Sequence, residues 1–428
     1  MKSFLQNWEK MRSSPVAILG AGKSGHGAAS LLNRLQWEHE TYDEQGRVFT
    51  EDLARKCSFV VFSPGFKLIH PWIQMARNLG KEVIAEMDLG AAFCKDKIVA
   101  ITGTNGKTTL TTLLSHIWNV NGRLSQVAGN IGNPLTSVVA NSSEEETTIF
   151  LETSSFQAQG LKILRPDVVI WNNFEPDHLD HHISMSEYFY AKANIITQMN
   201  PDGKLWIGES VVNFASQINY QFPYAYSRID CSSFCSNTVS PDHFLSSFPQ
   251  KENLAFAKTI SKASGIDESV FFDSIKSYEP EPFRLSKIAK VGKASFWNDS
   301  KATNSSAVIS AFKNFSNKIL WIGGGREKGE RVDLWINEVK KYVAQAFLIG
   351  EVAPKIHSML RSESVDSEVC ESLGDAIKSA YSRTVDTIDI VFSPGFLSYD
   401  MFEDYLDRGN SFNKLVFDLK KRSTQTTQ

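Results

Sequence analysis

A glycine-rich loop stands between an apolar strand and an amphipathic helix in residues 97–120. The strand begins at Lys97 to Ala100, and the apolar spacing from Leu110 to Val120 predicts the helix. The loop between them reads Gly103-Thr104-Asn105-Gly106-Lys107-Thr108-Thr109. This order favours a phosphate-binding site, because backbone N–H groups and the positive end of the helix face the anion.

Two side chains of this loop would carry its chemistry. Lys107 would place a positive charge against phosphate oxygens, and the hydroxyl of Thr108 could reach a bound Mg²⁺. Ile101 stands where the full G-x-x-x-x-G-K-[ST] pattern has its first glycine. A plain glycine-rich turn before a helix is therefore the alternative.

The length of 428 residues exceeds one ordinary hydrophobic core and predicts about three domains. The net charge is only −3, so no general basic field points to nucleic acid or to an anionic membrane. Met1 to Ser14 lack the apolar core of a signal peptide, and no later run is long enough to span a bilayer. We therefore expect a cytoplasmic protein that binds no nucleic acid and inserts into no membrane.

A second glycine-rich turn follows the first predicted strand. Val16 to Leu19 lead into Gly20-Ala21-Gly22-Lys23-Ser24-Gly25, a G-x-G-x-x-G turn that opens a helix ending near Leu35. Asp43 follows at the end of the next predicted strand. Taken alone, this pattern is the fingerprint of a dinucleotide site. The same turn would receive any nucleotide diphosphate, so both readings are open.

Carboxylate and imidazole side chains follow two later strands. Thr148 to Leu151 predict a buried strand that delivers Glu152 at its carboxyl end, where a phosphate site needs a Mg²⁺ ligand. Capping of the next helix is the alternative role for Glu152. Val168 to Trp171 lead into a loop rich in Asn, Asp and His over residues 172–182, and such donors suit Mg²⁺ or Mn²⁺. Spacing alone marks Lys192, in the next predicted helix, as an ordinary surface lysine.

The last third of the chain predicts a further α/β sheet. Strands are expected at residues 294–297, 318–322, 346–349 and 388–392, a helix from about Tyr399 and a disordered polar tail from Arg422. Domain boundaries are expected near residue 95 and at Glu279-Pro280-Glu281-Pro282. The predicted domains are therefore residues 1–95, 96–279 and 280–428, with ligands at the carboxyl ends of parallel strands.

Taken together, these motifs resemble the Mur ligase family over nearly the whole chain. The shared motifs are Gly-Thr-Asn-Gly-Lys-Thr-Thr at 103–109, Gly-Asn-Ile-Gly at 129–132, Glu-x-Ser-Ser-Phe-Gln at 152–157, Asn-x-x-x-Asp-His-Leu-Asp at 173–180, Asp-Ser-Lys-Ala-Thr-Asn at 299–304 and Gly-Gly-x-x-x-Lys-Gly at 323–329. The last two, together with Ser-Pro-Gly at 63–65 and 393–395, resemble the members that add D-glutamate. The resemblance implies an α/β protein with a Rossmann-like UDP-binding domain, a central P-loop ATPase-like domain and a C-terminal Rossmann-like domain.

The resemblance also implies an activity. The enzyme would join D-glutamate to UDP-N-acetylmuramoyl-L-alanine through an acyl phosphate made with ATP and two Mg²⁺ or Mn²⁺ ions, in cytoplasmic peptidoglycan precursor synthesis. It would act as a monomer. The alternatives are a related Mur ligase or folylpolyglutamate synthase-like ligase with another amino-acid substrate, an NAD-dependent oxidoreductase, and a non-catalytic nucleotide-binding protein.

The site residues that the resemblance implies fall into four sets. ATP would contact Gly103, Thr104, Asn105, Gly106, Lys107, Thr108, Thr109, Asn253, Arg284 and Asp299. Metal ions would be held by Thr108, Glu152, His178 and a carbamylated Lys192. The UDP substrate would meet Ser24, Asp43, Gly65, Asn130, Ser154 and Gln157, and D-glutamate would meet Lys301, Thr303, Lys328 and Ser398. The catalytic side chains would be those of Lys107, Glu152, His178, Lys192 and Lys301. Pro249, Phe283 and Ser286 depart from the family pattern on the adenine side.

Overall fold

The computed structural model describes residues 12–178, 182–229, 244–246, 249–327 and 332–425. By their contacts the residues fall into two compact units, which are residues 1–174, 184–235 and 252–278, and residues 175–183, 236–251 and 279–428. Among the described residues, no helix combines the length and the apolarity that a membrane span requires.

The first sheet of the first unit has four parallel strands in the order β2-β1-β3-β4. Its strands and helices are β1 (Val16–Leu19), α1 (Lys23–Arg34), β2 (His39–Tyr42), α2 (Glu51–Lys56), β3 (Val60–Phe62), α3 (Pro71–Asn78), β4 (Val83–Ala85) and α4 (Glu86–Phe93). Every residue of β1, β3 and β4 is buried, as expected when helices cover both faces of a parallel sheet. The G-x-G-x-x-G turn therefore lies at the carboxyl end of a central strand.

The second sheet of this unit is also parallel, with the order β10-β9-β8-β5-β7-β6. Its elements are β5 (Lys97–Thr102), α5 (Lys107–Val120), β6 (Ser125–Gly129), α6 (Leu135–Ala140), β7 (Thr148–Glu152), α7 (Ser155–Gln159), β8 (Val168–Trp171), α8 (Met185–Thr197), β9 (Lys204–Gly208), α9 (Glu209–Gln217), β10 (Tyr226–Ile229), α10 (Gln250–Ala263) and α11 (Glu268–Ser277). Later strands are added on both sides of β5, so the phosphate loop leaves the sheet where the strand order reverses. Ligands of open α/β sheets bind at such a position.

The second unit holds a mixed sheet with the order β11-β12-β16-β13-β14-β15. Its elements are β11 (Ser286–Val291), β12 (Ala294–Asn298), α12 (Ser305–Phe312), β13 (Ile319–Gly324), α13 (Asp333–Val339), β14 (Val343–Ile349), α14 (Ala353–Ser362), β15 (Asp366–Val369), α15 (Leu373–Ser382), β16 (Ile388–Gly395) and α16 (Tyr405–Gln425). Only the β11–β12 pair of this sheet is antiparallel. One apolar cluster contains Phe312 and Trp321, and another contains Phe392 and Phe412.

The α/β fold class predicted from the sequence is confirmed, and four local predictions need correction. The helix predicted from Tyr399 begins at Tyr405, and it continues through the supposedly disordered residues as far as Gln425. Ser393 to Gly395 belong to β16 instead of following it. The edge strands β11 and β15 were not predicted, because their mixed polar composition lacks a clear apolar run. The domain limits 1–95, 96–279 and 280–428 stay a prediction.

Helix α4 joins the two sheets of the first unit through its polar side chains. Oε1 of Glu86 accepts hydrogen bonds from the N–H of Thr136 at 2.8 Å and from its hydroxyl at 2.5 Å. The carboxylate of Asp88 accepts the backbone N–H groups of residues 162–164, each at 2.9 Å. Burial raises the pKa of both carboxyl groups. Because Glu86 bonds to the first turn of α6 and Asp88 to the chain before β8, these two groups fix α4 against the elements of the second sheet.

We predict that Gly90→Val destabilises this packing. A Cβ atom at Gly90 would lie 2.8 Å from Cγ of Leu135 and 3.0 Å from the backbone N of Thr136, so the helices must separate. Such overpacking costs about 1–3 kcal/mol, and urea unfolding would measure the loss. Gly46→Val is the matched control, because a Cβ atom there meets nothing closer than 3.9 Å. Equal stability of the two variants would contradict the close approach of α4 and α6.

Candidate active site

The phosphate loop is held in a conformation that requires glycine at two positions. Gly106 caps α5 with a φ of +77°, in the left-handed region that glycine adopts without strain. A Cβ atom on Gly103 would lie 1.7 Å from Oδ1 of Asn172. The loop and the chain after β8 can therefore touch only because residue 103 has no side chain.

Three asparagine side chains hold the loop backbone. Oδ1 of Asn173 accepts the N–H of Asn105 at 2.9 Å, and Nδ2 of Asn172 donates to the carbonyl of Asn105 at 2.8 Å. Nδ2 of Asn253, on α10, donates to the carbonyl of Gly106 at 3.1 Å, and Oδ1 of Asn253 accepts from Asn172 at 3.1 Å. The sequence placed Asn172 in the donor-rich loop over residues 172–182 but did not predict its contact with the phosphate loop, and the adenosine role of Asn253 stays a prediction. This network of hydrogen bonds fixes the backbone conformation of the loop at residues 105 and 106.

Two lysine ammonium groups meet at one backbone oxygen of the loop. Nζ of Lys107 donates to the carbonyl of Gly103 at 3.0 Å and to that of Thr104 at 2.8 Å. Nζ of Lys192 donates to the same Gly103 oxygen at 2.6 Å, and it lies 4.7 Å from the ring centre of Tyr188. Lys192 is only 1% exposed. The interpretation of Lys192 as an ordinary surface lysine is therefore wrong, because its face of α8 packs onto the loop.

Glu152 lies at the end of β7, next to β5, with its side chain 2% exposed. Its Oε1 accepts a hydrogen bond from Nδ2 of Asn130 at 2.9 Å. Its Oε2 is buried and has no hydrogen-bond partner within the described residues, as is also true of Oγ1 of Thr109. Ser154, and not Glu152, caps α7, in a capping box with Gln157. The helix-capping alternative for Glu152 is therefore wrong, and its buried oxygen is available to a cation.

A cavity of about 500 Å³ lies between the glycine turn of the first sheet and the end of β6 in the second. Five residues that the sequence assigned to the UDP substrate line it, namely Ser24, Asp43, Gly65, Asn130 and Gln157. The sixth, Ser154, contacts Gln157 through the capping box. Lys23, Ser63 and Pro64 also line this cavity and were not predicted. Each lies within two positions of a predicted residue, and this proximity in sequence is the signal that could have identified them.

The carboxylate of Asp43 closes the glycine turn. It accepts the N–H of Ala21 at 2.9 Å and the N–H of Gln45 at 3.1 Å, and these bonds lower the pKa of Asp43. An ionised Asp43 therefore lines the cavity beside the N-terminus of α1. A carboxylate in this position can accept hydrogen bonds from hydroxyl groups of a ribose.

In the second unit, Asp299 is the buried acid at the carboxyl end of β12. It accepts the N–H of Leu285 at 3.1 Å and the hydroxyl of Ser393 at 2.8 Å. Burial raises its pKa from the usual 3.8 to about 7. Phe283 and Leu285 both have positive φ, at +63° and +45°, which is strained for side chains of this size. Such strain is typical of functional positions.

Arg284 lies between these two strained residues, and only part of its hydrogen-bonding capacity is used. Its Nη2 donates to Oε2 of Glu281 at 3.3 Å, while its buried Nε has no partner among the described residues. Phe283, which departs from the family pattern, packs its ring against Gly409. The ATP roles of Arg284 and Asp299 stay predictions.

A buried arginine joins the loops that carry the predicted D-glutamate residues. Arg408, 1% exposed, donates to the carbonyl of Ser300 at 2.9 Å and to the carbonyl of Phe396 at 3.0 Å. These acceptors lie next to Lys301 and close to Ser398 in sequence. The sequence interpretation missed Arg408, although it lies on the same helix stripe as the buried Phe412 and Val416.

Three of the residues predicted to bind D-glutamate lie within the described part of the chain. Nζ of Lys301 lies 3.9 Å from the ring centre of Tyr405, and Ser398 is buried. Thr303 is half-buried two residues after Lys301. Lys328 lies outside the described residues.

The chain after β8 passes into the second unit, where its acidic residues bind the start of α12. Oε2 of Glu175 accepts from the hydroxyl of Ser306 at 2.8 Å, and Oδ2 of Asp177 accepts from Nδ2 of Asn304 at 3.1 Å. His178 follows with a φ of +54°, and its Nε2 lies 3.4 Å from Oδ2 of Asp177. Two of the oxygen donors expected for a metal in this segment are thus engaged by α12.

The predicted metal set is divided between the two units. Glu152, Lys192 and the half-buried Thr108 belong to the first unit, whereas His178 belongs to the second. Within the described ranges, no three His, Cys, Asp or Glu side chains are grouped as metal ligands. The metal roles of these residues stay predictions.

Comparison with known proteins identifies the family. Residues 101–263 match the Mur ligase middle domain. A UDP-N-acetylmuramoylalanine–D-glutamate ligase from Protochlamydia amoebophila (strain UWE25) is 31% identical over 431 residues, which cover 93% of this chain and 97% of that protein. The chain therefore belongs to the Mur ligase family. A relative of the same name from Caldicellulosiruptor bescii is 29% identical, covering 96% of this chain and 98% of its own.

Solved structures of other ligases share the fold. UDP-N-acetylmuramate–alanine ligase from Thermotoga maritima has a TM-score of 0.57 at 13% identity, covering 95% of this chain and 99% of its own. Folylpolyglutamate synthase from Mycobacterium tuberculosis, solved with ADP and AMPPCP, has a TM-score of 0.58 at 15% identity, covering 76% and 92%. The family, the fold class and the ligase class predicted from the sequence are confirmed.

We predict that Asp299 makes the stability of this Mur ligase depend on pH. Its folded pKa of about 7 exceeds 3.8, so folding takes up a proton between these values, and the free energy of unfolding falls as pH rises towards 7. Asp299→Asn keeps an acceptor for the N–H of Leu285 and should remove this slope, which is at most about 1.4 kcal/mol per pH unit. Urea unfolding between about pH 5 and 8 measures it.

Asp386→Asn is the control for this measurement, because Asp386 is an exposed aspartate of the same unit. It should leave the pH dependence of the wild type unchanged. Parallel curves for the wild type and Asp299→Asn would show that the burial of Asp299 does not control the stability.

Proposed function

We propose that this Mur ligase joins D-glutamate to UDP-N-acetylmuramoyl-L-alanine at the expense of ATP. One contact carries the proposal: Asn130 lines the 500 Å³ cavity and also donates to Glu152, the buried acid beside the phosphate loop. A substrate in this cavity would thus be linked to the phosphate site through a single side chain. The relatives named D-glutamate ligases, similar over nearly the full chain, support the same reaction.

ATP would bind with its phosphates at Gly103 to Thr109. The N-terminus of α5 and the ammonium group of Lys107 would face the phosphate oxygens, since both are positive. Lys107 would exchange its hydrogen bonds to the loop carbonyls for bonds to phosphate. The ADP and AMPPCP bound in the folylpolyglutamate synthase support a nucleotide in this fold. Asn253, Arg284 and Asp299 would contact the rest of the nucleotide.

The residues present fit a divalent cation beside this loop. Oε2 of Glu152 is a buried carboxylate oxygen without a hydrogen-bond partner in the described part of the chain, and such an oxygen is a preferred ligand of Mg²⁺. Thr108 and Glu152 would hold one ion, and Glu152, His178 and a carbamylated Lys192 a second. Bound Mg²⁺ would neutralise the charge on the phosphate oxygens during transfer.

The protein's own groups would do the remaining work. The cavity would hold the UDP moiety at Ser24, Asp43 and Gly65, and direct the substrate carboxylate past Asn130, Ser154 and Gln157. Transfer of the ATP γ-phosphoryl group to this carboxylate gives an acyl phosphate, which makes the carbon electrophilic. The amine of D-glutamate, bound by Lys301, Thr303, Lys328 and Ser398, would then attack that carbon and release phosphate.

The meeting of Lys107 and Lys192 at one carbonyl oxygen supports carbamylation of Lys192. The half-buried ammonium group of Lys107 and the buried one of Lys192 share an acceptor and therefore repel each other. The ammonium group of Lys192 would first lose a proton. The neutral amine would then form an N–C bond with CO₂ and release a second proton, so that a cation is replaced by a carbamate anion. The product would be attracted to Lys107 and could bind a metal ion.

The proposed reaction also suggests what each predicted domain binds and where in the cell the enzyme acts. Domains at 1–95, 96–279 and 280–428 would take the UDP substrate, ATP and D-glutamate respectively. We infer that the enzyme acts in the cytoplasm, because ATP and UDP-linked sugars are available there. We also propose that it acts as a monomer. An oxidoreductase built on the glycine turn would leave the paired lysines of the phosphate loop without a role.

The amino-acid substrate is tested by phosphate release from ATP in the presence of UDP-N-acetylmuramoyl-L-alanine. We predict turnover with D-glutamate and little turnover with L-glutamate, D-aspartate or L-lysine. Activity with one of these but not with D-glutamate would overturn the specific assignment. Protection from proteolysis by NAD, and not by ATP or a UDP-sugar, would instead support the oxidoreductase.

The carbamate is tested by substitution and rescue. Lys192→Ala should lose most activity and recover part of it with formate or acetate, because a free carboxylate can replace the carbamate. Lys107→Ala is the matched control, since it should abolish turnover without rescue by carboxylates. Depletion of bicarbonate should slow the wild type. Absence of both rescue and bicarbonate dependence would remove the carbamate from the mechanism.

A further inference from the structure

A second cavity lies at the amino ends of the central strands. Its floor is formed by alternate residues of three parallel strands, which therefore share one face of the sheet: Lys97 and Val99 of β5, Thr148 and Phe150 of β7, and Lys204 and Trp206 of β9. Helices α5 and α10 supply the walls through Trp118 and Ile260. The volume is about 510 Å³, within the range of small-molecule sites.

This cavity is separate from the phosphate loop. Lys97 is the first residue of β5, whereas the loop follows Thr102, the last residue of that strand. The two positions are about 17 Å apart along the strand. Since all the neighbouring strands are parallel, the cavity and the loop lie at opposite edges of one sheet.

Aromatic rings make the interior suited to a flat ligand. Trp118 is nearly buried and packs edge-on against Phe150, with ring centres 5.1 Å apart at 83°. Trp206 is half-buried, and in the described part of the chain its ring packs against no other ring and its Nε1 donates no hydrogen bond. Rings of this kind bind aromatic ligands by stacked or edge-to-face contact.

The charges at the mouth favour an anion. Lys97 and Lys204 are exposed, and neither ammonium group has an ion pair or hydrogen bond with any described residue. Arg123 is also in the lining, but it is engaged by the carbonyls of Ser264 and Gly265 at 2.8 and 3.3 Å. Glu146 is the one acid of the lining, so the positive groups outnumber it.

We propose that this cavity binds a small planar aromatic anion. The ring system would lie against Trp206 and beside Trp118, whose ring centre is 6.0 Å from the guanidinium of Arg123. The anionic group would face the ammonium groups of Lys97 and Lys204. Such a site requires neither ATP nor the UDP substrate, so it does not depend on the proposed ligase function.

The test uses 2-naphthoate as the probe and the full-length chain, with binding measured by titration calorimetry. We expect one mole of probe bound per mole of protein, with a Kd of about 1 mM or tighter. The neutral analogue 2-naphthalenemethanol and the non-planar anion cyclohexanecarboxylate should each bind at least about tenfold more weakly. A saturating non-hydrolysable ATP analogue with Mg²⁺ should not displace the probe.

Two variants locate the site. Replacing both Lys97 and Lys204 by Gln removes the charge with little change in size and should weaken binding at least about tenfold. Ala263→Trp, at the exposed end of α10, should close the mouth and abolish binding while the lysines remain. Lys290→Gln, an exposed lysine on β11, should leave binding unchanged. Unchanged urea unfolding would show that the variants fold.

Three results would overturn the proposal. One is the absence of any heat of binding up to about 1 mM probe. Another is displacement of the probe by the ATP analogue, which would assign the binding to the phosphate site. The third is binding to Ala263→Trp with wild-type affinity.

Discussion

The carbonyl oxygen of Gly103 is the point on which the phosphate site depends. It accepts the ammonium groups of Lys107 and Lys192, one from the loop itself and one from α8. The backbone of Gly103 also passes within contact distance of Asn172, which the absence of a side chain at residue 103 permits. A single glycine thus allows the central strand, the loop and α8 to converge. Two ammonium groups at one acceptor repel each other, and an anion bound at the loop would reduce this repulsion.

Other strands of the first unit place polar side chains beside the phosphate loop. Strand β7 pairs with β5 and brings Glu152 beside the loop, and Asn130 extends the same network into the neighbouring cavity. The polar contacts of Glu86 and Asp88 then fix α4 against the central sheet, so the glycine turn of the first sheet forms one wall of that cavity. Parallel topology explains why these groups meet, because the carboxyl ends of all the strands lie at one edge.

Much of this arrangement could be predicted because it follows from local patterns. Apolar runs ended by glycine predicted β1, β5 and their turns. The resemblance to the Mur ligase family implied one substrate site for Ser24, Asp43, Gly65, Asn130 and Gln157, which line one cavity. What the sequence could not supply was the partner of each long side chain. Periodicity placed Lys192 on a helix surface, but which surface becomes buried depends on the loop that packs there. Arg408 was overlooked for the same reason, since a charged residue on an apolar stripe is explained only by the carbonyls that it meets.

Arg408 and Lys192, two buried cations among the described residues, differ in the hydrogen-bond acceptors that they meet. The guanidinium of Arg408 donates to Ser300 and Phe396. Burial lowers the pKa of Arg408 only to about 10, so it stays charged and holds the two loops together. Lys192 has the same degree of burial but shares its acceptor with a second lysine. A guanidinium that donates to several acceptors of its own keeps its proton and its position when a ligand binds. Lys192 meets a second ammonium group at its acceptor, so it is the one of the two cations for which we propose a chemical role.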